Sequence, residues 1–300
     1  MIGRDGRWTA ETVVVFGAGG MLGRAVCEQL IRCGHRAVAL GHEECDVTSM
    51  AAVAEALGRP GVSSCINCAG FTDVDRAEDN PHAANVVNGV APGSIARAAA
   101  ARGLYLVHVS TDHVFDGRAE SSYAEHDYPA PVNAYGASKL VGDVGVRRAA
   151  GNHAIIRLQW LYGGPRDFPS QIIARAALDD EPIPVVDDMG APTDVYDAAR
   201  AIVRSLDHRR LGVWHYAAKG LVSRADWARV VLEMTNGGEP WRVQDSALAP
   251  VCAPRPHRVE LDCRKIDAAD AVDAMPGDET RPDWLDAFTD YMVAREGWLR

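Results

Sequence analysis

Lysine is almost missing from this chain of 300 residues: of 31 basic side chains only Lys139, Lys219 and Lys265 are lysines, and the others are arginines. Basic charge as a whole is in the minority, with 41 acidic residues against those 31 and a net charge of −10. An acidic chain lacks the concentrated basic face that holds duplex phosphates. Its nearest basic cluster, His208-Arg209-Arg210, reads as a solvated helix end, so no nucleic-acid partner is expected. Long apolar runs are missing too, none approaching the ~18 residues that cross a bilayer. Met1 to Thr12 is polar and charged, without the apolar core and small-residue cleavage site of a secretory signal. A cytoplasmic protein with no membrane partner is expected.

Paired cysteine is also lacking, since the seven cysteines are odd in number and scattered. Cys65 and Cys68 form a C-x-x-C within Val62 to Ala69, which reads as a buried strand. Residues three apart on a strand point to opposite faces, so the two sulfurs diverge. No second cysteine pair or H-x₃-H completes a zinc site, and no His/Asp/Glu cluster commits the chain to a metal. The two thiols read as small buried hydrophobes.

What is present is an alternation of short apolar runs with Ala-rich stretches. The strands are Val13 to Phe16, Arg36 to Leu40, Ser64 to Cys68, Tyr105 to Ser110 and Ala154 to Leu158. Between them, Leu22 to Cys33, Ser49 to Leu57, Asn85 to Arg102 and Tyr135 to Ala150 read as helices. Strand, helix, strand in sequence gives parallel pairing with right-handed crossovers, an α/β doubly wound sheet of the Rossmann kind. Beyond Tyr162-Gly163-Gly164-Pro165 the rhythm weakens, with Pro182, Pro184, Pro192, Pro250, Pro254 and Pro256 marking loops. The expected division is a dinucleotide-binding domain over residues 1–163 and a smaller, irregular α+β substrate lobe over 164–300, partly interleaved with the first.

Gly17-Ala18-Gly19-Gly20-Met21-Leu22-Gly23 follows the first strand and opens the first helix, placing Gly17, Gly20 and Gly23 in G-x-x-G-x-x-G. Turns without side chains let a diphosphate approach N–H groups at a positive helix end. The tip of the second strand, Leu40-Gly41-His42, has no carboxylate before Glu43. That removes a repulsion against a 2′-phosphate and favours NADPH over NADH as the cofactor.

Tyr135 and Lys139 form Y-x-x-x-K, four apart and so on one helix face. A nearby ammonium stabilises phenolate, lowering a pKa of ~10 and readying Tyr135 as proton donor to a carbonyl. The lysine can also hold the nicotinamide ribose. With eight tyrosines and so few lysines, chance predicts roughly 0.08 such pairs, so the motif carries information. Ser110-Thr111-Asp112 ends a strand at the edge where ligands of such sheets gather, putting the Thr111 hydroxyl beside the same carbonyl.

Together these segments resemble the extended short-chain dehydrogenase/reductase superfamily, and within it the dTDP-4-dehydrorhamnose reductase family. The resemblance rests on Asn67 to Glu78 (N-x-A-x-x-T-x-V-D-x-A-E), Val87-Asn88, Ser110 to Gly117 (S-T-D-Y-V-F-D-G), Tyr135-Gly136-Ala137-Ser138-Lys139, Arg157 to Gly163 (R-x-x-W-x-Y-G) and Gly190-Ala191-Pro192-Thr193. It spans about Val13 to Lys265 and thins after Thr193. It implies that Gly20, Met21 and Leu22 meet the cofactor diphosphate, that Asp46 and Val47 flank its adenine, and that Ala69, Gly70 and Thr72 lie along its ribose side. By the same resemblance Thr111, Tyr135 and Lys139 would form the catalytic triad, the last two also touching cofactor, and Val74, Asp112, His113 and Trp160 would border a nucleotide sugar. The apolar face of a deoxyhexose is expected on the Trp160 indole. His113 departs from the family tyrosine, Gly70-Phe71 from its Ala-Tyr, and Val259 from the serine of R-P-x-x-S-x-L.

The implied activity is reduction of the 4-keto group of a dTDP-4-keto-6-deoxyhexose. Scarce lysine suggests GC-rich coding, and an antibiotic-sugar pathway, for example to a dihydrostreptose-type sugar, is a fitting setting. Two alternatives share the pattern: a nucleotide-sugar epimerase or dehydratase recycling bound NAD, and a non-catalytic subunit like that of methionine adenosyltransferase. Helices like that of Tyr135 often pair in the superfamily, so a homodimer is preferred.

Overall fold

Val13-Val14-Val15-Phe16 offers apolar side chains to both faces of a strand, and such a run is stable only with both faces covered. The computed structural model, which describes residues 10–149, 151–235, 238–246, 253–274 and 280–298, buries all four completely. The polar start before residue 10, Ala150, Pro250 and Cys252 lie outside the described residues. β1 (Thr12–Phe16), β2 (Arg36–Leu40), β3 (Val62–Asn67), β4 (Tyr105–Thr111) and β5 (His153–Leu158) form one sheet with a sixth strand, Gly212–Tyr216. The order is β2-β1-β3-β4-β5 and then Gly212–Tyr216, all parallel. The expected doubly wound α/β sheet is the one formed. The chain leaves β1 in one direction to β2 and returns to the other side as β3, so a crevice opens at the ends of β1 and β3.

Helices cover both faces. Met21–Arg32 and Val195–Asp207 pack with Val13, Val15 and Ile66, while Met50–Leu57, Ala91–Ala100 and Ala134–Ala149 lie over Val14, Phe16 and Cys65. Cys68 packs with the first set and Cys65 with the second, so the C-x-x-C thiols do face opposite ways. Burial pushes both up to about 12, which leaves them protonated and inert. A third cluster, rich in aromatics, gathers Tyr162, Ile172, Trp227, Val243 and Phe288 from the C-terminal half.

The outer strand Gly212–Tyr216 presents backbone groups away from β5. There Lys265 Nζ donates to the Val213 carbonyl, its ammonium 4.0 Å from the Trp214 ring centroid, and the His215 N–H donates to Glu125 Oε1 at 3.3 Å.

The helix expected over Asn85 to Arg102 differs in kind. It starts at Pro81, capped by Asn80 Oδ1 on the Ala83 N–H, and widens into a π turn at Val86–Val90 before resuming as Ala91–Ala100. The cause is Pro92, which has no N–H to continue the regular ladder. The Ala91 N–H instead reaches back to the Val86 carbonyl. Such turns gather at functional sites, and this one carries Asn88.

Candidate active site

The glycine turn places a 12-residue helix, Met21–Arg32, with its N terminus toward the crevice. Gly17 sits at φ +73°, and a Cβ there would lie 2.5 Å from the Ala69 N–H nitrogen across the crevice. Gly23 brings the helix down onto the loop, a Cβ falling 2.2 Å from the Gly17 carbonyl. At Gly19, by contrast, a Cβ would meet nothing within 4 Å. The helix has no side-chain cap at Gly20 and no acidic residue in its first turn. Uncapped N–H groups, a positive helix end and a side-chain-free hollow together fit a diphosphate. Met21 and Leu22 open the helix, and Met21 lies under Gly164, whose Cβ would come 2.7 Å from the Met21 Sδ.

Around this cradle the other expected cofactor residues fall as follows. The Ala69 N–H donates to Asn67 Oδ1 at 3.1 Å, fixing the loop after β3. Gly70 follows it, and Thr72 is exposed at the loop's outer end. Val47 is buried, whereas Asp46 spends its carboxylate on Thr48, accepting from the N–H at 2.9 Å and the hydroxyl at 2.8 Å. The tip of β2 is less bare of negative charge than its sequence suggests. Glu44 turns back so that its Oε2 accepts from the Gly41 N–H at 2.9 Å.

Asn88, half of the Val87-Asn88 match, makes three hydrogen bonds. Its Oδ1 accepts from the Phe71 N–H at 2.8 Å, and its Nδ2 donates to the Phe71 carbonyl at 2.9 Å and to Ser138 Oγ at 3.0 Å. One fully buried amide thus ties the cofactor-side loop to the helix of Tyr135 and Lys139. Asn88→Ala is expected to destabilise the protein by about 2–4 kcal/mol in urea unfolding and to raise the cofactor KM, because both polar groups of Phe71 are left unpaired. An unchanged unfolding midpoint would mean the loop is held by something else.

The helix Ala134–Ala149 is fixed at its start by two side chains. Glu78 Oε1 accepts from the Ala134 N–H at 2.6 Å, and Asn133 Oδ1 accepts from the Gly136 N–H at 2.7 Å. Gly136 is required, since a Cβ would stand 2.1 Å from the His113 carbonyl. The Asn133 amide also donates to His113 Nδ1 at 3.0 Å. An amide nitrogen only donates, so Nδ1 accepts and the His113 proton resides on Nε2. The imidazole lies edge-on to Tyr135 with ring centroids 5.4 Å apart. Burial, eased by Asp112, lowers the His113 pKa and keeps the ring neutral.

Thr111, Tyr135 and Lys139 do come together at the end of β4. The Thr111 hydroxyl lies near enough to the Tyr135 phenol to affect its pKa, and Thr111 Oγ1 donates to Asp112 Oδ1 at 3.0 Å. The electrostatics differ from the expectation that lysine lowers the phenol. Burial dominates and pushes Tyr135 up to about 12; the nearby Thr111 hydroxyl pulls it down, while Asp112 and Asp143 push it further up. Lys139 Nζ donates to the Val109 carbonyl at 2.5 Å, and burial brings its pKa down to about 8. The phenol is therefore a fully protonated donor at neutral pH, and the titrating member of the pair is the lysine.

On the sugar side, Val74 is half-buried at the start of the short helix Val74–Asp79. Asp112 is 3% exposed and its oxygens are committed, Oδ2 accepting from Gln159 Nε2 at 2.9 Å. Gln159, a residue the motif reading left blank, also donates to the Val259 carbonyl and accepts from the Ala191 N–H, both at 2.9 Å. It binds three sequence blocks into one wall. Trp160 has φ +41°, a left-handed conformation costly for an aromatic residue and typical of functional sites. Its indole is not bare: the Arg224 guanidinium lies 3.8 Å from the ring centroid, held by Asp188 through bonds of 2.8 Å and 3.0 Å. A sugar stacked on that side meets a cation–π pair rather than an open ring. Among the described residues no three His, Cys, Asp or Glu side chains gather as a metal site, and no helix is long and apolar enough to cross a membrane.

Residues 11–289 match the family model described as the RmlD substrate binding domain. The dTDP-4-dehydrorhamnose reductase of Mycolicibacterium smegmatis is 36% identical over 294 residues, covering 96% of this chain and 87% of that protein. A crystal structure of a dTDP-4-dehydrorhamnose reductase from Clostridium acetobutylicum superposes with a TM-score of 0.85 at 30% identity, covering 95% of this chain and 99% of that one. That of Bacillus anthracis, in complex with NADP, gives 0.84 at 27% identity, covering 95% and 100%. The chain belongs to the dTDP-4-dehydrorhamnose reductase family.

Proposed function

We propose that this protein reduces the 4-keto group of a dTDP-4-keto-6-deoxyhexose with NADPH, NADH being the alternative cofactor. The observation that carries the reading is the convergence of Thr111, Tyr135 and Lys139 at the end of β4, beside an uncapped helix N terminus across the sheet crevice. A reduced nicotinamide, when bound, supplies hydride to the carbonyl carbon. Tyr135 donates its phenolic proton to the carbonyl oxygen, forming the alcohol, and is reprotonated from solvent. Thr111, near that phenol, orients the oxygen, and Lys139 supports the ribose and a positive field beneath it. The uncapped turn at Gly20, Met21 and Leu22 holds the diphosphate, with residues 1–163 as the cofactor domain and residues 164–300 closing over the sugar. Val74, Asp112, His113 and Trp160 line the sugar's side, with the Arg224–Asp188 pair as added floor.

The Glu44 carboxylate at the β2 tip works against a 2′-phosphate, so the preference for NADPH rests on the NADP complex of the Bacillus anthracis relative. An antibiotic deoxysugar, such as a dihydrostreptose-type product, remains the proposed setting, and a homodimer the proposed assembly.

The test follows loss of reduced-nicotinamide absorbance with a panel of dTDP-4-keto-6-deoxyhexoses. Rapid oxidation with one of them establishes the class and ranks the sugar. Failure of the whole panel, together with NAD that co-purifies, would transfer the assignment to an epimerase or dehydratase.

A further inference from the structure

The first turn of a helix is a poor place for a cation, because the backbone dipoles already point their positive ends there. Arg224 nevertheless opens the helix Arg224–Glu233, directly after its Ser223 cap. Its backbone N–H donates to the Asp188 carbonyl at 2.9 Å. Its side chain grips the same residue, Nε donating to Oδ1 at 2.8 Å and Nη2 to Oδ2 at 3.0 Å. Asp188 is 3% exposed, so the fork is held by a buried carboxylate with both oxygens engaged. That leaves Nη1, which makes no hydrogen bond among the described residues and belongs to a side chain still 20% exposed.

The guanidinium also takes the place expected for a ligand. It lies 3.8 Å from the Trp160 ring centroid and 5.2 Å from that of Phe168. Trp227 runs nearly parallel to the same indole, with 13° between planes and 5.9 Å between centroids. Gly190 backs onto it so closely that a Cβ would stand 2.5 Å from Trp160 Cε2. With a guanidinium, a second indole and a backbone segment all packed on it, Trp160 is a support for Arg224, and an incoming ring meets the guanidinium. Arg224 and Asp188 are both near enough to His113 to affect its pKa, and His113 lies edge-on to Tyr135. The clamped guanidinium is thus on the proton donor's side of the site.

Charge decides what Nη1 can read. Asp188 neutralises the guanidinium at contact distance, so a diphosphate placed there meets the carboxylate as well as the cation and gains little. An uncharged oxygen needs only the donor. We propose that Arg224 is a specificity-determining residue for the sugar: held on Trp160 by Asp188, it donates from Nη1 to a hydroxyl of the hexose, the 4-keto oxygen being left to Tyr135 and Thr111. This rests on the reading above that the site takes a nucleotide sugar. A hexose without that hydroxyl binds less well, because the aligned donor loses its partner and the clamp keeps it from turning to another.

Calorimetry in the presence of NADP, with dTDP and dTDP-6-deoxy-L-mannose as the two probes, tests this. Arg224→Lys keeps a cation for Asp188 but has no planar fork with a donor to spare. The double variant Arg224→Gln with Asp188→Asn leaves no buried charge unpaired, and serves should the lysine protein not fold. In both, the dTDP-sugar is expected to bind at least about tenfold more weakly, with dTDP and NADP binding unchanged. Unchanged sugar binding overturns the proposal and makes the Arg224–Asp188 pair a tie between helix and loop. An equal loss for dTDP and the dTDP-sugar also overturns it, since Arg224 would then be holding the diphosphate. A wild-type protein that binds neither probe would take down the nucleotide-sugar reading itself, and the proposal with it, whereas one that binds both and ignores the substitutions loses the proposal alone.

Discussion

Tyr135→Phe is expected to lower kcat by about 10²–10⁴-fold, the usual worth of a positioned general acid, while cofactor binding measured by fluorescence weakens far less. The ring stays, so His113 keeps its edge-on neighbour and the helix keeps both of its capping side chains. What goes is the phenolic proton. Turnover unchanged in this variant would remove the mechanism altogether. The pH profile carries a second sign. With the phenol near 12 and Lys139 near 8, a plot of kcat/KM for the cofactor is expected to hold below about 8 and fall above it. The group lost there is a cation, because a lysine whose pKa is depressed gives up its charge as pH rises through the lowered value. A limb appearing only near the phenol's value would show that the lysine charge is dispensable.

The second large effect concerns two glycines four residues apart. Gly23→Ala drives a Cβ to 2.2 Å from the Gly17 carbonyl and 2.8 Å from the Ala18 Cα, both backbone atoms that cannot swing aside. The helix Met21–Arg32 has to rise off its loop. A loss of more than about 4 kcal/mol of stability, or failure to accumulate, is expected. Gly19→Ala is the informative partner, since its Cβ meets nothing within 4 Å. Its melting temperature is expected to stay put while cofactor affinity drops by at least about tenfold, as the methyl enters the hollow assigned to the diphosphate. If Gly19→Ala binds cofactor normally, the diphosphate lies elsewhere.

What was legible in the sequence is what periodicity can carry. A strand, a glycine turn and a helix are contiguous, so Val13 to Arg32 could be read locally. Y-x-x-x-K shares a helix face by spacing alone. The residues that escaped act between segments far apart in the chain. Gln159 reaches the Val259 carbonyl 100 residues away, Asn88 reaches Ser138 50 away, and Arg255 pairs with Asp75 180 away. No local pattern reports such contacts, although Asn88 and Glu78 both lie within family motifs. The electrostatic error has a different origin. Spacing places Lys139 beside Tyr135, but only the packing shows that the Val109 carbonyl takes the ammonium and that desolvation outweighs it. Sequence likewise names the Trp160 indole as a platform and is silent on the Arg224 guanidinium lying over it.

The fastening of the Gly212–Tyr216 strand bears on something other than chemistry. An outermost strand is an invitation to polymerise, its row of unused donors and acceptors serving as a template for the next chain. Here the Val213 carbonyl is spent on an ammonium and the His215 N–H on a carboxylate, by Lys265 and Glu125. Two of this chain's charged side chains thereby act as terminators of sheet growth, and one of them uses a third of its entire stock of lysine to do so.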